Sequence, residues 1–252
     1  MKNTLLKEKL QNNELTIGSW ITIGHPSIPE ILSSAGFEWL AVDIEHNSID
    51  NSMIQTLIST IQSKNIAALV RISKNDEVAI KHAMDAGADG IIVPMINTKE
   101  DAEKAVEYVK YPPLGRRGVG LSRAQNYGFG FDQYREWLLN SAVIIAQIEH
   151  IDAVENIEKI ISVEGIDGVL IGPYDLSGSL GKPGDFSEPD YVNAIGRVEK
   201  HCKKKNFPLG IHVIEPNEDL LISKINNGFT FIAFSTDFYF MGENAIRLMN
   251  LL

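Results

Sequence analysis

The chain has 252 residues, 44% hydrophobic and 22% charged, the balance of a soluble globular fold with a large core and no disordered tract. Its 33 acidic against 23 basic residues give a net charge of -10, which repels a nucleic-acid backbone, and no segment approaches the roughly eighteen apolar residues of a membrane span. Cys202 is the only cysteine, which excludes an internal disulfide and a thiolate metal cluster and fits a reducing compartment, so the cytoplasm is expected.

In chain order, Met1 to Leu10 alternates charge with leucine at helical spacing and lacks the apolar centre of a signal peptide. Apolar, β-branched runs then predict strands at 16–22, 39–45, 67–72 and 90–95, followed by 142–149, 168–173, 207–213 and 229–237. Amphipathic helical patterns lie between them, as over Asp76 to Ala86 and Thr98 to Val109. The stretch Tyr111 to Asn140 is too long for a plain connection and predicts an elaborated loop at a functional or subunit surface. Lys200 to Lys205 reads as a solvated helix face that suits the helix dipole. Eight strands alternating with helices, with no linker or repeat, predict an α/β protein, a single-domain (β/α)8 barrel over residues 1–252.

The active site of such a barrel forms at the C-terminal ends of the strands. Those ends carry Asp43, Glu45 and His46, then Arg71, then Gln147 and Glu149, then Asp175, His212 and Asp237. Glu149 and Asp175 are carboxylates from different strands, suited to a hard divalent cation; the competing reading is that they cap helices or pair with arginines, and Asp175 has the look of an N-cap. A carboxylate such as Asp43 against an imidazole such as His46 fixes the tautomer and raises basicity, as a general base requires, although a lone rim histidine is the commoner outcome. Arg71 either neutralises the acids or stabilises a developing enolate. His25 and His150 follow strands and are candidates for lining the site. The Gly-rich pieces at 118–123 and 178–183 lack the spacing of nucleotide-binding or phosphate loops, so a phosphorylated substrate is not indicated.

These residues resemble the HpcH/HpaI aldolases, metal-dependent class II pyruvate aldolases on a (β/α)8 barrel. The resemblance rests on Gly36-Phe-Glu-Trp-Leu with Asp43-Ile-Glu-His46, on Val70-Arg71, and on Gly90-Ile-Ile-Val-Pro-Met95 and Tyr111-Pro-Pro-Leu-Gly-Arg-Arg-Gly118. It continues through Gln147-Ile-Glu149, Glu164-Gly-Ile-Asp-Gly168, Gly172-Pro-Tyr-Asp-Leu-Ser177 and Leu180-Gly-Lys-Pro-Gly184. It implies that His46 is the catalytic histidine, tuned by Asp43 and Asp85, and that Arg71 stabilises the transition state. It further implies that Glu149 and Asp175 hold a divalent cation (Mg²⁺, Mn²⁺ or Co²⁺), and that Gln147 with the backbone around Tyr174 and Asp175 holds the pyruvate portion. A homo-oligomer, a hexamer built from trimers, is implied as well; in the chain, the apolar segment Ala245 to Leu252 is compatible with it.

The resemblance thus implies reversible cleavage of a 4-hydroxy-2-oxo acid, such as a 2-keto-3-deoxy sugar acid or 4-hydroxy-2-oxoheptanedioate, to pyruvate and an aldehyde. The chain departs from the family at Asn47, Tyr174, His212 and Ser235-Thr-Asp237, all where the aldehyde half would bind. Tyr174, His212 and Arg117 suggest a polar or anionic aldehyde. The alternatives are a Schiff-base aldolase, for which no predicted strand offers a lysine, a citrate lyase β-like enzyme acting on a thioester, and an inactive barrel serving as a binding subunit.

Overall fold

The computed structural model describes residues 5–251; residues 1–4 of the predicted N-terminal helix and Leu252 of the apolar C-terminal segment lie outside the described residues. Eight parallel strands close into a barrel in sequence order: β1 Thr16–Ile21, β2 Trp39–Asp43, β3 Ala67–Arg71, β4 Gly90–Val93, β5 Val143–Ile148, β6 Gly168–Ile171, β7 Leu209–Val213 and β8 Phe231–Thr236. The helices are α1 Leu5–Gln11, α2 Ser27–Leu32, α3 Asn51–Ser63, α4 Glu77–Asp85, α5 Lys99–Val109 and α6 Phe131–Asn140, then α7 Ile151–Glu155, α8 Ile157–Ile160, α9 Pro173–Ser179, α10 Pro189–Lys205, α11 Glu218–Asn226 and α12 Asp237–Met249. Every predicted strand is present, and most end earlier than the apolar runs suggest. The second stops at Asp43 because its own carboxylate accepts the Glu45 N–H, 3.0 Å away, and turns the chain.

Strand alternation sorts the apolar side chains into two cores. Trp20, Trp39, Leu69, Ile92, Ile145 and Phe231 are among those filling the barrel interior, while a larger cluster lies between the strands and the surrounding helices. Leu6 and Leu10 of α1 join the interior cluster and close the N-terminal end, where Lys7 bonds Asp167 at 2.5 Å.

The interior floor is a fit of large against absent side chains. Trp39 stacks on Phe231 with ring centroids 4.4 Å apart, and a Cβ on Gly18 would stand 2.0 Å from the Trp39 ring. Gly18→Ala is therefore expected to cost about 3 kcal/mol through overpacking. Thermal denaturation should show a fall in Tm of roughly 10 °C; an unchanged Tm would mean that the floor is loosely packed.

The elaborated segment 111–140 lies at the N-terminal end of the barrel, because it follows α5 and precedes β5. It carries a 3-10 turn at Arg123–Gly128 and exposes Leu121 and Phe129. A cavity of about 1410 Å³ opens there, lined by Gln62, Arg123, Tyr134 and Trp137 among others, far from the strand ends that carry the acids and histidines. The last helix is unusual: Asp237 is the one buried residue of α12, while Met241, Ile246 and Met249 are exposed. Beside its start lies an apolar groove of about 390 Å³, lined by Ile17, Leu32, Phe37, Leu221, Phe234 and Phe240 among others.

Candidate active site

The parallel register of β2 and β3 sets Asp43 directly beside Arg71, both pointing into the barrel mouth. They close a two-pronged ion pair, Nε to Oδ1 at 2.8 Å and Nη2 to Oδ2 at 2.7 Å. Burial works to raise the Asp43 pKa, but the hydrogen-bonded Arg71 charge and the Glu45 N–H prevail and hold it below the ordinary carboxylate range. The Arg71 guanidinium also lies over the Trp20 ring, 4.4 Å from its centroid, so its orientation is fixed from two sides.

This differs from the pairing expected of Asp43. Its oxygens are taken by Arg71, Asn47 and the Glu45 N–H, and the His46 ring turns instead to Glu45, Nε2 to Oε2 at 3.7 Å. The histidine side chain is 61% exposed, at the rim of the mouth. Asp43 thus positions Arg71, and Glu45 lies between Arg71 and the His46 ring, 3.4 Å from Arg71 Nε.

Glu149, at the end of β5, is almost fully buried. It accepts the Met95 N–H at 2.5 Å on Oε1 and the Gln147 side-chain amide at 2.5 Å on Oε2. Met95 donates from a left-handed backbone conformation (φ 52°), a strained setting for a side chain and one that turns its amide toward the acid. A Cβ on Gly172 would lie 3.2 Å from both Gln147 Nε2 and Glu149 Oε2, so glycine leaves that corner open.

Asp175 is in the first turn of α9, whose N-cap is Gly172, so the N-cap expected of Asp175 is not made; it is exposed, facing Glu45 and Glu149. Burial first, then the repulsion of the other carboxylates, pushes Glu45 and Glu149 up to about 7. Beside them Gln147 Oε1 is enclosed with no hydrogen-bond partner. Two carboxyls held above their ordinary range, a third that faces them and an orphaned amide oxygen fit a hard divalent cation, which takes oxygen ligands and keeps several waters. Among the described residues, no group of three or more His, Cys, Asp or Glu side chains is arranged to hold a metal ion by itself.

Other expected residues lie elsewhere. Asp85 ends α4, at the opposite end of the barrel, beside Gly120; burial holds its carboxyl above the ordinary range. Arg117 is buried at that same end, bonded to Tyr134 and stacked on Tyr111, so it is no part of this mouth. His150 caps α7 by accepting the Asp152 N–H, and His25 accepts that of Ser27. Asp237 accepts the N–H groups of Thr22 and Ile23 at 2.8 and 2.9 Å and fastens β1 to the start of α12. Tyr174 is exposed, its ring 5.2 Å from Phe186. Burial lowers the Lys110 pKa to about 8, yet it bonds the Leu138 and Leu139 carbonyls at the wrong end of the barrel for Schiff-base chemistry.

Sequence reasoning missed the Met95 amide and the opening at Gly172, since neither backbone direction nor close approach leaves a pattern in residue types. The profile of the family HpcH/HpaI aldolase/citrate lyase matches residues 16–241. The 2-dehydro-3,6-dideoxy-6-sulfogluconate aldolase of Pseudomonas putida is 34% identical over 95% of this chain and 93% of its own length. The 5-keto-4-deoxy-D-glucarate aldolase of Escherichia coli is 34% identical over 92% of this chain and 90% of its own. A crystal structure of a family member from Burkholderia cenocepacia, 29% identical, superposes with a TM-score of 0.93 over 98% of each chain. The chain is a lyase of the class II pyruvate aldolase type, and it belongs to the HpcH/HpaI aldolase/citrate lyase family.

Proposed function

We propose that the protein is a divalent-metal-dependent aldolase that reversibly cleaves a 4-hydroxy-2-oxo acid, of the 2-keto-3-deoxy sugar acid or 4-hydroxy-2-oxoheptanedioate kind, to pyruvate and an aldehyde. The observation that carries this reading is the convergence of Glu45, Glu149 and Asp175 beside a fixed arginine and a rim histidine. Glu149 and Asp175 would hold the cation, which when bound supplies Lewis acidity to the 2-oxo group.

The protein's own groups account for the rest. Gln147 and the backbone at Tyr174 and Asp175 hold the pyruvate half at the start of α9, where free N–H groups favour a carboxylate. His46 takes the 4-hydroxyl proton, the C3–C4 bond breaks, and its electron pair passes to the developing enolate as the aldehyde carbonyl forms. Arg71, locked by Asp43 and Trp20, meets the enolate oxygen without having to reorganise. A proton delivered to C3 then completes pyruvate. The test is turnover of pyruvate with a panel of aldehydes, with and without Mg²⁺, Mn²⁺ and Co²⁺. Full activity in the presence of a strong chelator would overturn the metal-dependent reading.

The raised acids make a pH prediction. A cation must displace protons from Glu45 and Glu149, so its affinity should fall as pH drops below about 7. Calorimetry in buffers of different ionisation enthalpy should report proton release on binding at pH 6.5. The sign for stability is opposite in the metal-free protein: carboxyls raised in the folded state favour it below their unfolded range near 4.5, and that contribution is lost as pH rises through 7.

The proposal extends to a homo-oligomer, hexameric as the resemblance implies, and to a cytoplasmic setting. The apolar α12 and its neighbouring groove give a second copy a surface to cover. Asp85, at the far end of its own barrel, acts on His46 only from a neighbouring subunit. Light scattering that returns a monomer mass would remove both statements.

A further inference from the structure

The Glu149 carboxylate is held at both oxygens, by one partner from its own strand and one from a neighbouring turn. The Gln147 amide, two residues back on β5, bonds Oε2, and the Met95 N–H, in the turn that follows β4, bonds Oε1 at 2.5 Å. The second bond depends on a backbone direction, and that direction is an uncommon one. Four of the seven non-glycine residues with positive φ among the described residues are asparagines, whose short side chain tolerates the left-handed region. Methionine has no such tolerance, yet Met95 holds φ 52° with its side chain 48% exposed. Burial of that side chain therefore does not account for the conformation.

The turn is pinned on both sides of Met95. Pro94 and Ile96 are buried. The Asn97 carbonyl accepts a hydrogen bond from the Asn156 side chain at 3.1 Å, and the Asn97 N–H reaches the Asp101 carboxylate of the α5 capping box at 3.3 Å. Asn156 directly follows α7, the helix that Glu149 and His150 lead into. The turn after β4 and the segment after β5 are thus tied at two points, Met95 to Glu149 and Asn97 to Asn156. Backbone strain persists where the surroundings over-determine it, and it gathers at sites where a group has to be aimed. The group aimed by Met95 is an N–H dipole directed at a buried carboxylate, which favours the charged form and fixes the face that the acid presents.

We propose that Met95 is a positioning residue for the cation site: its left-handed backbone, not its side chain, aims the N–H that orients Glu149 and so sets the affinity for the divalent cation. The assignment rests on the metal-dependent reading above. Partners that orient a metal ligand from outside are commonly worth about ten- to a hundredfold in metal affinity.

The experiment titrates Mn²⁺ into the metal-free protein by calorimetry and reads Kd. Affinity should follow each substitute's tolerance of positive φ. Met95→Asn and Met95→Gly should bind Mn²⁺ within about threefold of wild type, and Met95→Val, whose β-branched side chain is excluded from that region, should bind about tenfold more weakly or worse. A role for the side chain would give the reverse order, with apolar valine nearest to wild type and glycine furthest from it. That reversed order, or a Kd indifferent to all three substitutions, overturns the assignment. Should the valine variant fail to fold, as judged by circular dichroism, the other two decide: near wild-type affinity in both carries the assignment, and weakening in either overturns it. Wild-type protein that binds no Mn²⁺ overturns the metal-dependent reading, and the assignment with it; wild-type protein that binds Mn²⁺ at a site removed by Glu149→Ala, with the reversed order among the variants, overturns the assignment alone.

Discussion

Glu149→Ala is expected to reduce turnover by about a thousandfold or more, the loss of roughly 4 kcal/mol of transition-state stabilisation. It is also expected to abolish stoichiometric binding of Mn²⁺ in calorimetry. Both effects follow from where the side chain lies. Glu149 is buried and its two oxygens are fixed by the Met95 N–H and Gln147, so no neighbour can swing in to replace it. Asp175 alone, exposed in the first turn of α9, offers a single solvated carboxylate. Stability should change much less than activity. The substitution leaves the Met95 and Gln147 donors unpaired, at about 1–3 kcal/mol each at most, but removes a buried carboxyl whose charged form burial and the facing Glu45 disfavour. A folded Glu149→Ala protein with near-normal turnover after chelator treatment would remove the metal assignment.

His46→Ala should lower kcat by about 10²–10⁴, the usual worth of a general base. Mn²⁺ affinity and melting temperature should scarcely respond, because the side chain stands at the rim, 61% exposed, with a 3.7 Å approach to Glu45 as its polar contact there. Added imidazole should restore part of the lost rate, since the rim leaves room for a small base to enter. If the variant instead loses metal together with activity, His46 supports the cation site and the base must be sought elsewhere, with Glu45 the next candidate by position.

The barrel was legible because its signals are local. Runs such as Ala67 to Arg71 and Val143 to Ile148 are apolar and β-branched on both faces, as strands covered by helices outside and side chains inside must be. Asp76 and Thr98 announce their helices as caps, each accepting backbone N–H groups in the first turn. The acids and histidine at the strand ends were legible for the same reason: an ionisable group closing an apolar strand belongs at a mouth. The pairings among them were not. His46 is three residues from Asp43 in the chain, whereas Arg71 is twenty-eight away, yet parallel register puts Arg71 in contact and turns His46 out to the rim. Arg117 and Asp85 show the same limit: both lie at the N-terminal end of their own barrel, and a residue type carries no record of which end its helix or loop reaches.

By itself, then, the sequence determined the alternation of strand and helix, the absence of a disulfide framework, and the residues Asp43, Glu45, His46, Arg71, Gln147, Glu149 and Asp175 as a set placed at strand ends. These depend on periodicity and capping over a few residues, where one side chain's preference is felt directly. The tertiary structure alone decided that Asp43 serves Arg71 and that a strained Met95 amide holds Glu149. It also pressed Glu45 and Glu149 toward about 7 and left Trp20 Nε1, His212 Nε2 and Ser235 Oγ enclosed without hydrogen-bond partners. Each of these is a balance of burial, distance and direction among groups far apart in the chain, which takes a value only when closure of the barrel brings them together.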